Sequence, residues 1–204
     1  MSLVKIAIFA SGRGSNAVAL IQKAQTLPDK VQISFVLTDR PQAGVLEKAQ
    51  ALGVPTQIVS RTGTKEDHEA EILKIINEHQ IDWIFLAGYM RLLSPTFLST
   101  FSGWTGGASQ VVNIHPSLLP AYPGVNSIAR AFEDKVLETG VTLHLVDEGM
   151  DTGRILRQEK VLLSTETALD ILEGQIHSLE HKLYAQFLQD VAFERQATKK
   201  FTLA

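Results

Sequence analysis

Residues 113–124 (NIHPSLLPAYPG) carry the most unusual combination of side chains in this chain. Asn113 and His115 are two positions apart, so on an extended strand both point to one side while Ile114 points to the other. An amide and an imidazole can then converge on one small group, and histidine is the side chain that readily gains and loses a proton near neutral pH. Pro116, Pro120 and Pro123 hold the segment that follows in a rigid, non-helical loop. The same residues also fit a histidine that only hydrogen-bonds a loop carbonyl. Further on, Asp147, Glu148 and Asp151 share one glycine-containing turn, residues 147–153 (DEGMDTG). A carboxylate brought beside His115 would favour the imidazolium and orient the ring. An acidic turn can equally be solvated surface. Its spacing does not match a calcium-binding EF-hand loop, and no metal is expected.

Two further groups have chemical potential. Residues 11–16 (SGRGSN) join an apolar run to a helical pattern. Glycines let backbone N–H groups approach an anion, and a helix start presents unpaired donors with a partial positive charge. Gly14, Ser15 and Asn16 can therefore hold a phosphate. The segment lacks the third glycine of a dinucleotide fingerprint and the Gly-Lys-Ser/Thr of a P-loop. An ordinary tight turn with Ser15 as helix cap reads the same spacing. Near the C-terminus, Glu173, His177, Glu180 and Tyr184 recur at three- and four-residue steps, which places them along one side of a helix, lining a pocket or facing water. His68, His79, His144 and His181 carry no functional reading, and His144 reads as strand packing.

These groups need a scaffold that brings them together. Apolar runs at residues 3–9, 31–38, 56–60, 82–87 and 110–113 predict strands, and amphipathic patterns to about residue 24, at 43–52 and at 64–80 predict the helices between them. That alternation predicts an α/β fold with a mostly parallel central sheet and helices on both faces. Residues 140–146 and 155–163 flank the acidic turn and predict an antiparallel later part. Leu169, Leu172, Ile176, Leu179, Leu183 and Phe187 form the buried stripe of a long closing helix. In open α/β sheets ligands bind beyond the carboxyl ends of strands, where residues 11–16, 88–93, 113–124 and 147–153 fall.

Composition narrows the class of protein. The 204 residues are 45% hydrophobic and 20% charged, with a formal net charge of −3, a poor footing for nucleic-acid binding. The chain has no cysteine, which excludes disulfides, thiolate nucleophiles and cysteine-ligated metals. No apolar run approaches the roughly 20 residues of a membrane span. The opening residues, MSLVKI, lack a basic region followed by an apolar one and read as a first strand. A cytoplasmic, single-domain protein is expected over residues 1–204.

Residues 113–124, 86–94 (LAGYMRLLS), 11–16 and 140–153 (GVTLHLVDEGMDTG) together resemble the folate-dependent formyltransferases, in register from about residue 4 to residue 188. The Asn-x-His-Pro-Ser-Leu-Leu-Pro string is specific for that group. The phosphate loop and chain length narrow the resemblance to the phosphoribosylglycinamide formyltransferases. The resemblance implies a Rossmann-like formyltransferase fold and movement of a formyl group from 10-formyltetrahydrofolate to the amine of glycinamide ribonucleotide in de novo purine biosynthesis. It implies Asn113, His115 and Asp151 as the catalytic set, the first two stabilising an oxyanion. Gly14, Ser15, Asn16, His177 and Glu180 would meet the ribonucleotide, with His177 standing where glutamine is common. Lys65, Met90, Arg91, Leu92, Leu93, Asn113, Asp147, Glu148, Gly149, Met150 and Asp151 would meet the folate. Only small-molecule partners are implied, on a monomer or homodimer.

Three departures from the family pattern stand out. Arg154 replaces the usual proline after the acidic turn, which would alter the exit of that loop. Residues 125–128 lack a His-x-His that some members carry. Residues 101–109 (FSGWTGGAS) read as a long, glycine-rich and mobile connection. Alternatives remain within the same chemistry, a formyltetrahydrofolate hydrolase or methionyl-tRNA formyltransferase, and outside it. A non-catalytic nucleotide-binding module is one. A dehydrogenase is another, with Asp39 its only candidate ribose-binding acid.

Overall fold

The computed structural model describes residues 3–104, 110–164 and 167–194. Seven strands form one sheet in the order β3-β2-β1-β4-β5-β6-β7. They are β1 (Val4–Phe9), β2 (Val31–Thr38), β3 (Thr56–Ile58), β4 (Trp83–Leu86), β5 (Val111–His115), β6 (Glu138–Leu145) and β7 (Ile155–Leu162). The first five run parallel, and β6 runs antiparallel to both β5 and β7. The expected α/β architecture with an antiparallel later part is therefore the observed one. Strand order reverses between β1 and β4, so the crevice beyond their carboxyl ends is where such a sheet binds ligands.

Helices cover both faces, as the apolar character of the parallel strands requires. On one face α1 (Ser15–Gln25), α2 (Val45–Ala51) and α6 (Leu169–Glu194) pack over Ile6, Ile8, Phe85, Val112 and Ile114. On the other, α3 (Lys65–His79) and α4 (Pro95–Trp104) pack over Ala7, Phe9, Phe35 and Leu37. Successive β1 residues divide between the two cores, which is period-two alternation with both faces buried.

Local chemistry sets the helix ends. Thr64 and Asp67 form a reciprocal capping box at the start of α3. Ser94 caps α4, its hydroxyl accepting from Phe97 N–H at 3.0 Å, and Pro95 fills the first helical position.

Two helices fall where the sequence reading placed no element, α4 and α5 (Ser127–Glu133). Both are short, and packing supplies what propensity does not. Residues 101–104 close α4, with Phe101 fully buried, and so are helix rather than a mobile connection. Residues 105–109 lie outside the described residues. Ser15 is not a helix cap: Gly14 holds that position, with no side-chain hydrogen bond. Among the described residues no helix is long and apolar enough to cross a membrane.

Candidate active site

Gly14 must be glycine. Its φ is +78°, and a Cβ there would lie 2.4 Å from Val45 Cγ2. The turn therefore presses onto the start of α2 and presents the uncapped amino end of α1 outward. Ser15 is exposed and Asn16 half-buried, its Oδ1 without a hydrogen-bond partner. Beside Asn16 stands Glu180 of α6, only 5% exposed. Burial pushes the Glu180 carboxyl up to about 7, the Asn16 amide opposing only part of that rise. Tyr184 is fully buried one turn on, its hydroxyl directed at the carbonyls of Leu86 and Val112. Of the four residues read along this side of the helix, Glu180 and Tyr184 are therefore not solvated. Glu173 is exposed and His177 half-buried. Burial, with the charge of His177 added, holds His181 below the ordinary histidine range.

Asn113 and His115 end β5 on the same side. The acidic turn brings Asp151 to both. His115 Nδ1 lies 3.3 Å from Asp151 Oδ2, and Asn113 Nδ2 donates to Asp151 Oδ1 at 3.4 Å. His115 Nε2 is 2.9 Å from the Tyr122 carbonyl oxygen, in the proline-rich loop. A carbonyl only accepts, so Nε2 carries a proton. Both neighbours of the ring are acceptors, so an imidazolium would find a partner at each nitrogen.

Asp151 itself has φ +57°, in the left-handed region that costs a side-chain-bearing residue about 1 kcal/mol or more. Its carboxylate holds it there, accepting from Gly124 N–H at 2.8 Å and facing two imidazoles. Burial alone would raise this carboxyl. Hydrogen bonds from His144 and Gly124, and the charges of His115 and His144, outweigh burial and keep it below the usual carboxylate range. The turn is tight at its exit, since a Cβ on Gly153 would sit 1.8 Å from the Leu145 carbonyl oxygen. Arg154 follows directly at the exit. Its own carbonyl accepts from Leu145 N–H at 2.9 Å and leads into β7.

The residues read as folate contacts divide between two cavities. Lys65, Met90, Arg91, Leu92 and Leu93 line one of about 300 Å³, with Arg61, His68, Glu69 and Tyr89. Met150 and Asp151 line a second of about 250 Å³, with Leu119, Pro120, Pro123, Thr152, Gly153 and Ile155. Asn113, Asp147, Glu148 and Gly149 line neither. Asp147 turns inward on its own loop, accepting from Gly149 N–H at 3.1 Å and Thr152 Oγ1 at 2.7 Å. Among the described residues no cluster of three or more histidine, aspartate or glutamate side chains could hold a metal ion.

Comparison with known proteins covers nearly the whole length of the chain. The family model described as formyl transferase matches residues 4–188. This chain belongs to the formyl transferase family. The phosphoribosylglycinamide formyltransferase of Bacillus subtilis is 37% identical over 189 residues, covering 92% of this chain and 94% of that protein. The crystal structure of glycinamide ribonucleotide transformylase 1 from Geobacillus kaustophilus is 43% identical, with a TM-score of 0.84 over 92% of this chain and 97% of that one. The phosphoribosylglycinamide formyltransferase of Bacillus halodurans is 40% identical, with a TM-score of 0.84 over 98% and 100% of the two chains.

The candidate site also contains a residue that the sequence reading assigned to packing. His144 pairs with Asn113 across β5 and β6. Its Nδ1 lies 2.9 Å from the Leu145 carbonyl oxygen, so that nitrogen bears hydrogen. Its Nε2 is 3.1 Å from Asn113 Nδ2 and 3.6 Å from Asp151 Oδ1. Neutral, it accepts from the amide; charged, it donates toward the carboxylate. The sequence signal was a polar residue inside a strand predicted next to the Asn113 strand. Only the register puts the two face to face. Asp39 is likewise not a free ribose-binding acid: Ser11 and Arg91 occupy its two carboxylate oxygens.

Proposed function

We propose that this chain transfers the formyl group of 10-formyltetrahydrofolate to the primary amine of 5'-phosphoribosylglycinamide, a step of purine (IMP) biosynthesis. The observation that carries the reading is the convergence of Asn113, His115 and Asp151 in a chain of this family. The amine nitrogen attacks the formyl carbon and a C–N bond forms. The carbonyl electrons move onto oxygen, and the Asn113 amide and the His115 imidazolium stabilise that oxyanion. His115 donates to it by exchanging the Tyr122 carbonyl for the substrate oxygen. Asp151 holds the imidazolium charge and passes the amine proton, through water, toward folate N10 as the C–N10 bond breaks. No covalent enzyme intermediate is required, so the lack of cysteine is no obstacle.

The side chains fit the two substrates. Met90 and Leu92 are large apolar residues left 62% and 50% exposed, beside the cations Arg61, Lys65 and Arg91. Such a surface suits an aromatic ring system that bears carboxylates. Met90, Arg91, Leu92, Leu93 and Lys65 would meet the folate, with Asp147, Glu148, Gly149 and Met150 as the loop over its pterin. Gly14, Ser15 and Asn16 would hold the ribonucleotide phosphate, with Glu180 and His177 contacting the rest of that molecule. The chain works as one cytoplasmic formyltransferase domain, monomeric or homodimeric, without metal.

One assay tests the reading: incubation with 10-formyltetrahydrofolate, followed by folate absorbance with and without glycinamide ribonucleotide. Turnover that requires the amine is expected. Equal turnover without it would overturn the proposal in favour of a formyltetrahydrofolate hydrolase.

A further inference from the structure

Residues 39–48, running from the end of β2 into α2, touch the phosphate turn and the wall of the larger cavity at once. Asp39 is 8% exposed, and both its carboxylate oxygens are engaged. Oδ1 accepts from Ser11 Oγ and Oδ2 from Arg91 Nε, each at 2.6 Å. The Ser11 hydroxyl also accepts from Met90 N–H at 3.2 Å, and Ser11 N–H donates to the Gly88 carbonyl at 3.0 Å. Residues 88, 90 and 91 are thereby fastened to the position directly before the 12–16 turn. On that turn's other flank, Val45 N–H donates to the Gly12 carbonyl at 3.2 Å and Lys48 Nζ to the Arg13 carbonyl at 2.8 Å.

We propose that Asp39 is a positioning residue that couples the two substrate subsites, with Ser11 as the link between them. The inference rests on the proposed assignment of the phosphate turn to the ribonucleotide and of the Met90–Arg91 wall to the folate. A buried carboxylate is tolerated only while it is paired and hydrogen-bonded. Neither partner can therefore shift alone without leaving charge unpaired. A ribonucleotide that draws the 12–16 turn into one position fixes Ser11, Ser11 fixes Asp39, and Asp39 fixes the Arg91 fork and the Met90 backbone against the folate. Linkage makes the effect reciprocal. Burial works against the ionised form of Asp39, yet Ser11 and Arg91 keep its carboxyl below the usual range, as a paired anion requires.

Asp39→Asn separates the two links. Its amide oxygen still accepts from Ser11, but its amide nitrogen then meets Arg91 Nε donor to donor. Ser11→Ala cuts the other link and leaves the Asp39–Arg91 pair. The test is calorimetric titration of folic acid, an unreactive folate, into the full chain with and without saturating glycinamide ribonucleotide. In the wild type the ribonucleotide should change folic acid affinity about 5-fold or more, the lower end of usual coupling. In Asp39→Asn and Ser11→Ala that factor should collapse to within about 2-fold of none. Asp39→Asn should also weaken folic acid about 10-fold or more, since a charged hydrogen bond is lost. Ribonucleotide affinity measured alone should hold.

An uncoupled wild type, or variants that keep the wild-type factor, would overturn the proposal. A lower melting temperature with coupling intact would make Asp39 structural only, which also overturns it. Should Asp39→Asn not fold, Ser11→Ala decides the matter. A wild type that binds neither compound would instead refute the functional reading beneath.

Discussion

Glu180 offers a magnitude that can be worked from its surroundings. It is 5% exposed on α6, and burial lifts its carboxyl from an ordinary 4.5 to about 7, with Asn16 opposing only part of the rise. Between those values the folded chain keeps a proton that the unfolded chain has released. Stability from this group is therefore complete below 4.5 and is lost as the pH climbs through about 7. The full loss corresponds to about 3 kcal/mol. Glu180→Gln has no proton to lose and matches the carboxyl in size. Urea midpoints of both proteins at about pH 5 and about pH 8 isolate the term, because most other titrating groups cancel in the comparison. The variant should gain roughly 2–3 kcal/mol on the wild type between the two pH values. A stability difference that stays within about 0.5 kcal/mol at both would refute the argument and show that water reaches this carboxyl.

Three other predictions concern the chemistry. Asn113→Ala and His115→Ala should each lower turnover by about 10²–10³ or more with folate binding largely kept, and near-normal turnover of His115→Ala from about pH 6 to about pH 9 would end the oxyanion mechanism. Asp151→Asn should reduce turnover and destabilise the chain at neutral pH. The Asp151 carboxyl is held low only in the folded state, so its contribution is present above the unfolded value and disappears on acidification; a deficit that stays constant into acid counts against the pairing. Ser15→Ala/Asn16→Ala should raise the KM for glycinamide ribonucleotide with little change for folate, and an unchanged KM removes the phosphate assignment.

Much of the framework was legible because its signals are local. Apolar runs alternating with amphipathic helices are what a parallel sheet buried on both faces demands, and the strands at residues 31–38 and 155–162 fall within a residue of their predicted ends. α4 and α5 escaped notice because short helices draw their stability from packing, as Phe97 and Phe101 do against the second core. The Gly14 turn was readable as a glycine-bearing turn from strand to helix. That Gly14 rather than Ser15 holds the cap followed only from its contact with Val45.

The sequence by itself determined the alternation of elements, the strand that puts Asn113 and His115 on one side, and the presence of a carboxylate-bearing turn. Residue type and spacing alone did not determine which carboxylate of that turn would meet the histidine; the family resemblance singled out Asp151. Asp147 closes its own loop, Glu148 is exposed, and Asp151 alone reaches His115. Nor did type and spacing distinguish His144 from a packing residue, or, without the resemblance, Glu180 from a solvated one. Each of these depends on a contact between segments far apart in the chain: the antiparallel register of β5 on β6, the fold of the acidic turn onto Gly124, and the packing of α6 against α1. Hydrophobic period and turn residues encode the shape of a segment. Burial, pairing and proton affinity belong to the surroundings a side chain meets, and those exist only once the sheet and its helices have closed around it.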